Sequence, residues 1–262
     1  MTYGYDIEYA GASAESIGMY VVKRPDIPAP DYDMETIIIP GRDGVLHEDK
    51  MRYNQIEIKI EFNYMETPDR WVEMWRCAKR WLSAKNAKLK LSDDTDYYYF
   101  VYFVRLESNE RVAYELGRFN ATFLCAPYMY LNAGTVERKQ ELSPVFLSTA
   151  AGNPIMDAAG NRVLSTCMST TTLNALDTCH PLYRIVGNGI CSFSVNGNWM
   201  YANVQGELII DTELQAAYRQ DGVKMNQKVT GDYTKLYFVP GKNEIMTGSD
   251  FDFYITPRWR SL

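Results

Sequence analysis

QIEIKIEF, residues 55–62, sets Ile56, Ile58, Ile60 and Phe62 against Glu57, Lys59 and Glu61 in strict alternation. A period of two sends one set to each face of a sheet, so the stretch predicts a half-buried strand. RFNATFLCA (118–126) repeats the pattern with Phe119, Ala121, Phe123 and Cys125. YYYFVYFVRL (97–106) is a continuous aromatic and β-branched run, which predicts a strand covered on both faces. Between them the period changes. In TPDRWVEMWRCAKRWLSAK (67–85), Trp71, Trp75, Ala78 and Leu82 fall on one helical stripe that Met74 and Trp81 widen. Thr67 is expected as the N-cap, Pro68 as the first helical residue, and Asp69 in the first turn. Lys79, Arg80 and Lys85 sit where the helix dipole favours cations. The three Trp are expected to cover a sheet or a neighbouring subunit.

Upstream, TIIIPGRDGVLHEDK (36–50) breaks an isoleucine strand at Pro40 and resumes at Val45-Leu46. Proline lacks a backbone donor, and Gly41 and Gly44 permit positive φ, so IPGRDG predicts a tight turn rather than a ligand loop. Its charges, Arg42 and Asp43, are expected either to satisfy local backbone groups or to pair with an adjacent subunit, the second being favoured.

Beyond residue 126 the texture changes. The polar, aperiodic stretch ending in ELSP reads as a linker over 133–144, separating a domain at 1–132 from one at 145–262. Residues 148–178 are rich in small side chains and carry Ala-Ala-Gly-Asn at 150–153 and again at 158–161, which predicts two turns of a small meander inserted in the second domain. From Pro181 onward, LYRIV, ICSFSV, WMYANV, ELIID and KLYFV alternate with GNG, NGN and QG. Short strands with Gly/Asn turns at this spacing predict a β-sandwich or barrel. The fold class is mainly β: an α+β N-terminal domain with one main helix, followed by a second sandwich-like or barrel-like domain.

Twenty Tyr among 262 residues suit strands and wet interfaces. Net charge is −6, and the first 132 residues hold 16 Lys/Arg against 21 Asp/Glu. A grip on a phosphate backbone needs a cationic stripe, so specific nucleic-acid binding is not expected. No apolar run approaches the roughly 20 residues that span a bilayer, and MTYGYDIEYAG lacks a signal peptide's basic start. Five Cys at wide spacings form no CxxC pair, so buried free thiols and a reducing site of synthesis are expected.

Candidate chemistry is sparse. The two His, His47 and His180, fall in different domains, and no zinc spacing joins them. Asp93, Asp94 and Asp96 lack the glycine and the terminal acid of a calcium loop, Val104 standing at the twelfth position. GNGICS (187–192) has neither the third glycine nor the helix of a dinucleotide site and reads as a turn. No catalytic motif emerges, and neither enzymatic activity nor a cofactor or metal is expected. Trp199 and Tyr201, two apart on one expected strand, share a face that serves either as sandwich core or as contact for a glycan or partner.

The order of these pieces is distinctive: an isoleucine strand ending in IPGRDG, an alternating strand, a Trp-rich helix, FNATFLCAPYMY, LYFVPGKNEI and a closing FYITPRWRSL. Together they resemble the distal tail proteins of long-tailed bacteriophages and related prophages, most closely over 34–132 and 181–262. The resemblance implies an architectural protein of the virion's tail tip, synthesised in the bacterial host cytoplasm. It implies a homohexameric N-terminal ring with a central channel and a galectin-like C-terminal sandwich. The implied partners are the major tail tube protein, a tail-associated hub or lysin protein, and a receptor-binding protein or tail fibre; membrane insertion is not implied. Arg42, Asp43, Tyr99 and Tyr102 become candidate subunit contacts, and 148–178 a contact for a receptor-binding protein. A carbohydrate-binding module using Trp199 and Tyr201 is the alternative, and a tail-associated hydrolase a third.

Overall fold

The computed structural model describes residues 4–248 and 250–262. It divides into two compact units, one running to Tyr130 and the other from Leu131 to Ser261. Both are antiparallel β structures whose sheets curl into sandwich-like or barrel-like bodies.

The N-terminal unit contains β1 (Ile7–Tyr9), β2 (Ala12–Ser13), β3 (Tyr20–Val21), β4 (Tyr32–Ile37), β5 (Leu46–Tyr53), β6 (Ile56–Met65), helix α1 (Trp71–Leu82), β7 (Ala87–Leu91), β8 (Asp94–Leu106), β9 (Glu110–Arg111) and β10 (Leu116–Leu131). Its main sheet runs β2-β1-β7-β8-β10-β6-β3. The alternation in 55–62 appears as expected: Ile56, Ile58, Ile60, Phe62 and also Tyr64 are buried. Register joins Phe62 to Phe119, Ile60 to Ala121 and Ile58 to Phe123, so both inward rows lie on the same face.

Helix α1 covers that face. Trp81 packs edge-on against Phe62 and Trp75 against Phe119, with ring centroids 5.9 and 5.0 Å apart. Trp81 Nε1 donates to the Tyr9 carbonyl at 2.9 Å, and the Tyr9 hydroxyl donates to the Ala84 carbonyl at 2.6 Å. The Trp stripe is therefore core. The helix is shorter than the predicted 67–85. Residues 68–70 form a turn, and Arg70 occupies the N-cap without a side-chain cap, because Thr67 hydrogen-bonds to Glu66 instead. The aromatic run in β8 is covered on both faces only at its start: Tyr98, Tyr99 and Val101 are buried, whereas Tyr102 and Phe103 are exposed.

The C-terminal unit comprises β11 (Arg138–Lys139), β12 (Ser143–Phe146), β13 (Leu164–Asn174), β14 (Leu182–Val195), β15 (Asn198–Asp211), β16 (Ala216–Tyr218), β17 (Val229–Thr230), β18 (Gly241–Gly248) and β19 (Asp252–Thr256). The predicted linker contributes two short strands to the sheet, β11 pairing β19 and β12 pairing β13. Its short strands take their order from partners distant in sequence, so local composition did not reveal them. KLYFV, expected as a strand, forms a 3-10 turn over Tyr233–Leu236 and one bridge from Phe238 to Cys179.

The largest correction concerns GNG and QG. Neither ends a strand; both lie within the long strands β14 and β15, where Gly187 pairs with Gly206 in a register unbroken over 14 pairs. The other edge of β14 changes partner across this point. Residues 182–186 pair β19, and 193–195 pair β18. The hairpin therefore bends from one layer to the other, and glycine accommodates the corner. Gly187 also lets Phe251 approach: a Cβ there would lie 2.5 Å from the Phe251 ring. Asn188 Oδ1 accepts the Gly206 N–H at 2.9 Å and staples the bend.

Cys125, Cys179 and Cys191 are buried thiols, and burial pushes Cys125 and Cys179 up to about 12. His180 stacks on Tyr237 at 4.0 Å and accepts from Arg260 Nη2 at 3.2 Å. Burial, then the positive charges of Arg260 and Arg258, push its imidazole down to about 4.

Gly187→Ala should destabilise the C-terminal unit by about 1–3 kcal/mol in denaturant titrations, through overpacking against Phe251. Combining it with Phe251→Ala should cost less than the two separate losses summed. A second expectation concerns pH. The folded value of His180 lies below its ordinary 6.5, so unfolded chains bind more protons between the two. Stability is then full above about 6.5 and falls, by on the order of 2 kcal/mol, as pH drops toward about 4. His180→Phe should flatten that interval in melting curves while keeping the stack on Tyr237.

Candidate functional site

Three exposed features stand out from the two packed bodies. The first is the ribbon β4–β5, a two-stranded sheet joined to no other strand among the described residues. At its base Tyr53 lies between Tyr32 and Tyr128, with centroids 4.6 and 6.0 Å away. Along it Lys50 bridges Glu35 at 2.6 Å and Glu48 at 3.2 Å, and Arg52 meets Asp33 at 2.6 Å. His47 Nδ1 lies 3.4 Å from Thr36 Oγ1 across the pair. Exposed pairs of this kind contribute little, and a lone hairpin is marginal in water.

The tip is IPGRDG. Arg42 N–H donates to the Ile39 carbonyl, and Gly41 has φ 80, which with Pro40 before it is a type II turn. Gly44 has φ 79. Around the turn Ile37, Ile38, Ile39, Val45 and Leu46 are all exposed, Ile38 by 76%. Arg42 and Asp43 crown this apolar tip, and among the described residues neither side chain has a hydrogen-bond or ion-pair partner.

The remaining two candidate contacts separate. Tyr99 is only 5% exposed and belongs to the N-terminal core, where burial pushes its phenol up to about 12. That position removes it from any surface of its own unit. Tyr102 is exposed and packs edge-on to Phe100 at 5.5 Å. A purely apolar run carries no signal for which of its residues face outward.

The second feature is the small-residue stretch. Its C-terminal part is β13, a full member of the sheet, and only about 147–163 projects. Leu147, Ile155 and Val163, eight residues apart, close a ring of backbone hydrogen bonds. Leu147 N–H donates to Val163 at 2.9 Å, Val163 to Ile155 at 2.9 Å, and Ile155 to Leu147 at 3.0 Å. Three ladders meet there: the β12–β13 stem and side hairpins bridged at Ser148–Pro154 and Met156–Arg162. Each Ala-Ala-Gly-Asn forms one side turn, with Gly152 at φ 82 and Gly160 at φ 83. Asp157 Oδ1 accepts the Ala159 and Asn161 N–H groups, and these bonds hold its carboxyl below the usual range. Phe146, Leu147, Ile155, Met156 and Leu164 are exposed around the junction, with Arg162 over the Phe146 ring at 4.8 Å.

The third feature is the outward face of β14–β15. Trp199 and Tyr201 are 42% and 51% exposed, so they lie on the surface rather than in the sandwich core. Met200, Ala202 and Val204 face the core in their place.

No group of three or more His, Cys, Asp or Glu side chains among the described residues is arranged to hold a metal. Asp93 accepts from Tyr5 and Arg24, and these bonds hold its carboxyl below its ordinary range. No helix is long and apolar enough to cross a membrane.

No protein-family model and no curated protein matches the chain. A solved structure does: the SPP1 Dit protein (gp 19.1), described as a paradigm of hub adsorption apparatus in Gram-positive-infecting phages. The match covers 96% of this chain and 97% of that one, with a TM-score of 0.64 and 13% identity. The two proteins share a fold. The likeness spans both units.

Asp157→Ala should speed amide hydrogen exchange at residues 155–163 by about five- to tenfold, because the turn loses the acceptor of two backbone N–H groups. The melting temperature should stay unchanged, because the turn lies outside both cores.

Proposed function

We propose that the chain is a structural component of a phage tail tip, a hub whose N-terminal units close into a six-membered ring around a central channel. The observation that carries this reading is the β4–β5 arm. Its two outer edges pair with no other strand and its apolar tip is exposed among the described residues, so a second copy is the natural surface for them. Contact between an arm on one copy and a different surface on the next is head-to-tail, and such contacts generate a ring when their rotation closes. Arg42, Asp43 and Tyr102 are the charged and aromatic groups assigned to that interface.

The shared fold with a phage hub protein supports the same reading. So does the acidic excess of the first half, since a channel without cationic lining does not retain DNA. The ring would join the major tail tube protein to the baseplate or fibres, with a tail-associated hub or lysin protein beneath it. The galectin-like C-terminal unit would project outward. Its junction at 147–163, with apolar side chains around a rigid backbone, is the segment assigned to a receptor-binding protein or tail fibre. A structural role needs no catalytic group.

Light scattering and cryo-microscopy of the purified chain, alone and with a tail tube protein as template, should show six-membered rings. Ile38→Asp with Leu46→Asp should leave the circular dichroism spectrum unchanged and reduce assembly by about a hundredfold or more, since two carboxylates would be buried at the tip contact. A wild-type chain that stays monomeric under both conditions, or a variant that assembles as well as wild type, would overturn the proposal.

A further inference from the structure

The outward face of the β14–β15 hairpin divides at its glycine corner. On one side it is charged: Arg184 is held between Glu137 at 2.6 Å and Glu207 at 3.3 Å and lies over the Tyr254 ring at 4.0 Å. On the other side every outward position is neutral. Asn188 pairs with Gln205, Ile190 with Asn203, Ser192 with Tyr201, and Ser194 with Trp199. Thr230 of β17 flanks Tyr201, and Met246 of β18 flanks Ser194. With 60 charged side chains in the sequence, a face of eight hairpin positions and two neighbours without one is a distinct surface.

Its chemistry has two parts. Trp199 and Tyr201 are exposed flat rings on one strand, about 7 Å apart along it. Around them lie hydroxyls and amides, the donors and acceptors that match a polyol. Ser194 adds a third observation. It is 1% exposed, and its Oγ has no hydrogen-bond partner among the described residues, although it sits directly across from Trp199 on this face. A buried hydroxyl without a partner is costly, and in a native structure an ordered water commonly supplies the missing bond.

We propose that this face is a binding platform for a neutral polysaccharide. Sugar rings would stack their CH faces on Trp199 and Tyr201, while hydroxyls bond to Ser192, Asn203 and Thr230. Neutrality decides between occupants. A phosphate-rich polymer would require cations, and an acidic or basic protein surface would require complementary charge; the hairpin positions carry neither, and the same face of β18 adds one carboxylate, Glu244, two residues from Met246. The rings supply the apolar contact, and the rigid two-stranded scaffold presents it preorganised.

The test uses the full chain and follows the Trp199 indole N–H in two-dimensional NMR spectra. The probes are cellohexaose, maltohexaose, chitohexaose and galactotetraose, with polygalacturonate as a charged control. At least one neutral oligosaccharide should give saturable shifts at Trp199 and along β14–β15, and the charged control none. Trp199→Ala should weaken that binding about tenfold or more with an unchanged melting temperature, and Trp199→Phe should restore part of it. Absence of any shift with all four oligosaccharides, or equal affinity in Trp199→Ala, overturns the proposal. So does protection of Trp199 in assembled tails without an oligosaccharide response, which assigns the face to a protein partner. The oligosaccharide outcomes do not depend on whether the chain forms a ring.

Discussion

The backbone hydrogen bonds of strand edges are the constraint on which this structure turns. A strand inside a sheet satisfies its N–H and C=O groups on both sides; a strand at an edge leaves one row open. The chain meets this demand differently in each region. β14 is paired on both edges along most of its length, changing partner from β19 to β18 at the glycine corner. The junction at 147–163 meets it by closing three short ladders on one another, so that Leu147, Ile155 and Val163 each give and receive within one ring. The β4–β5 arm does neither. Its inner edges pair with each other, and its outer edges stay open beside an apolar tip. The unmet demand and the exposed isoleucines coincide on the arm.

What the sequence disclosed follows from whether a signal is local. Ile56, Ile58, Ile60 and Phe62 announce their own face, because a period of two needs no information from elsewhere, and Trp71, Trp75 and Leu82 do the same at a period of 3.6. The type II turn at Pro40-Gly41 is equally local. Gly187 and Gly206 were misread because glycine marks both the end of a strand and a corner within one; which applies depends on Phe251 and β19, far along the chain. The short strands at 138–139 and 143–146 carry no period of their own and exist through pairing with β19 and β13.

The candidate surface residues follow the same rule. Arg42 and Asp43 were legible as tip residues because the turn that carries them is local. Tyr99 and Tyr102 were not separable, since the run from 97 to 104 is aromatic or valine at every position and the change from core to surface depends on where neighbouring strands stop. Trp199 and Tyr201 were legible as a pair on one face, but which face required the register with β14. That Met200, Ala202 and Val204 fill the core is a fact about β14 and β18 as much as about β15.

A fold shared with a phage hub protein at 13% identity shows how little of this architecture depends on particular side chains. The inward rows require apolar volume, which many residues supply, and the corners require glycine or a bulge. Outward positions are released from both demands. The charged and neutral halves of the β14–β15 face share one scaffold and one register, yet differ wholly in chemistry across a single glycine pair. The sheet sets where these side chains stand and how rigidly they are held, while their identity is left to whatever the surface must recognise. A neutral aromatic patch held on such a frame is a choice that core packing did not force.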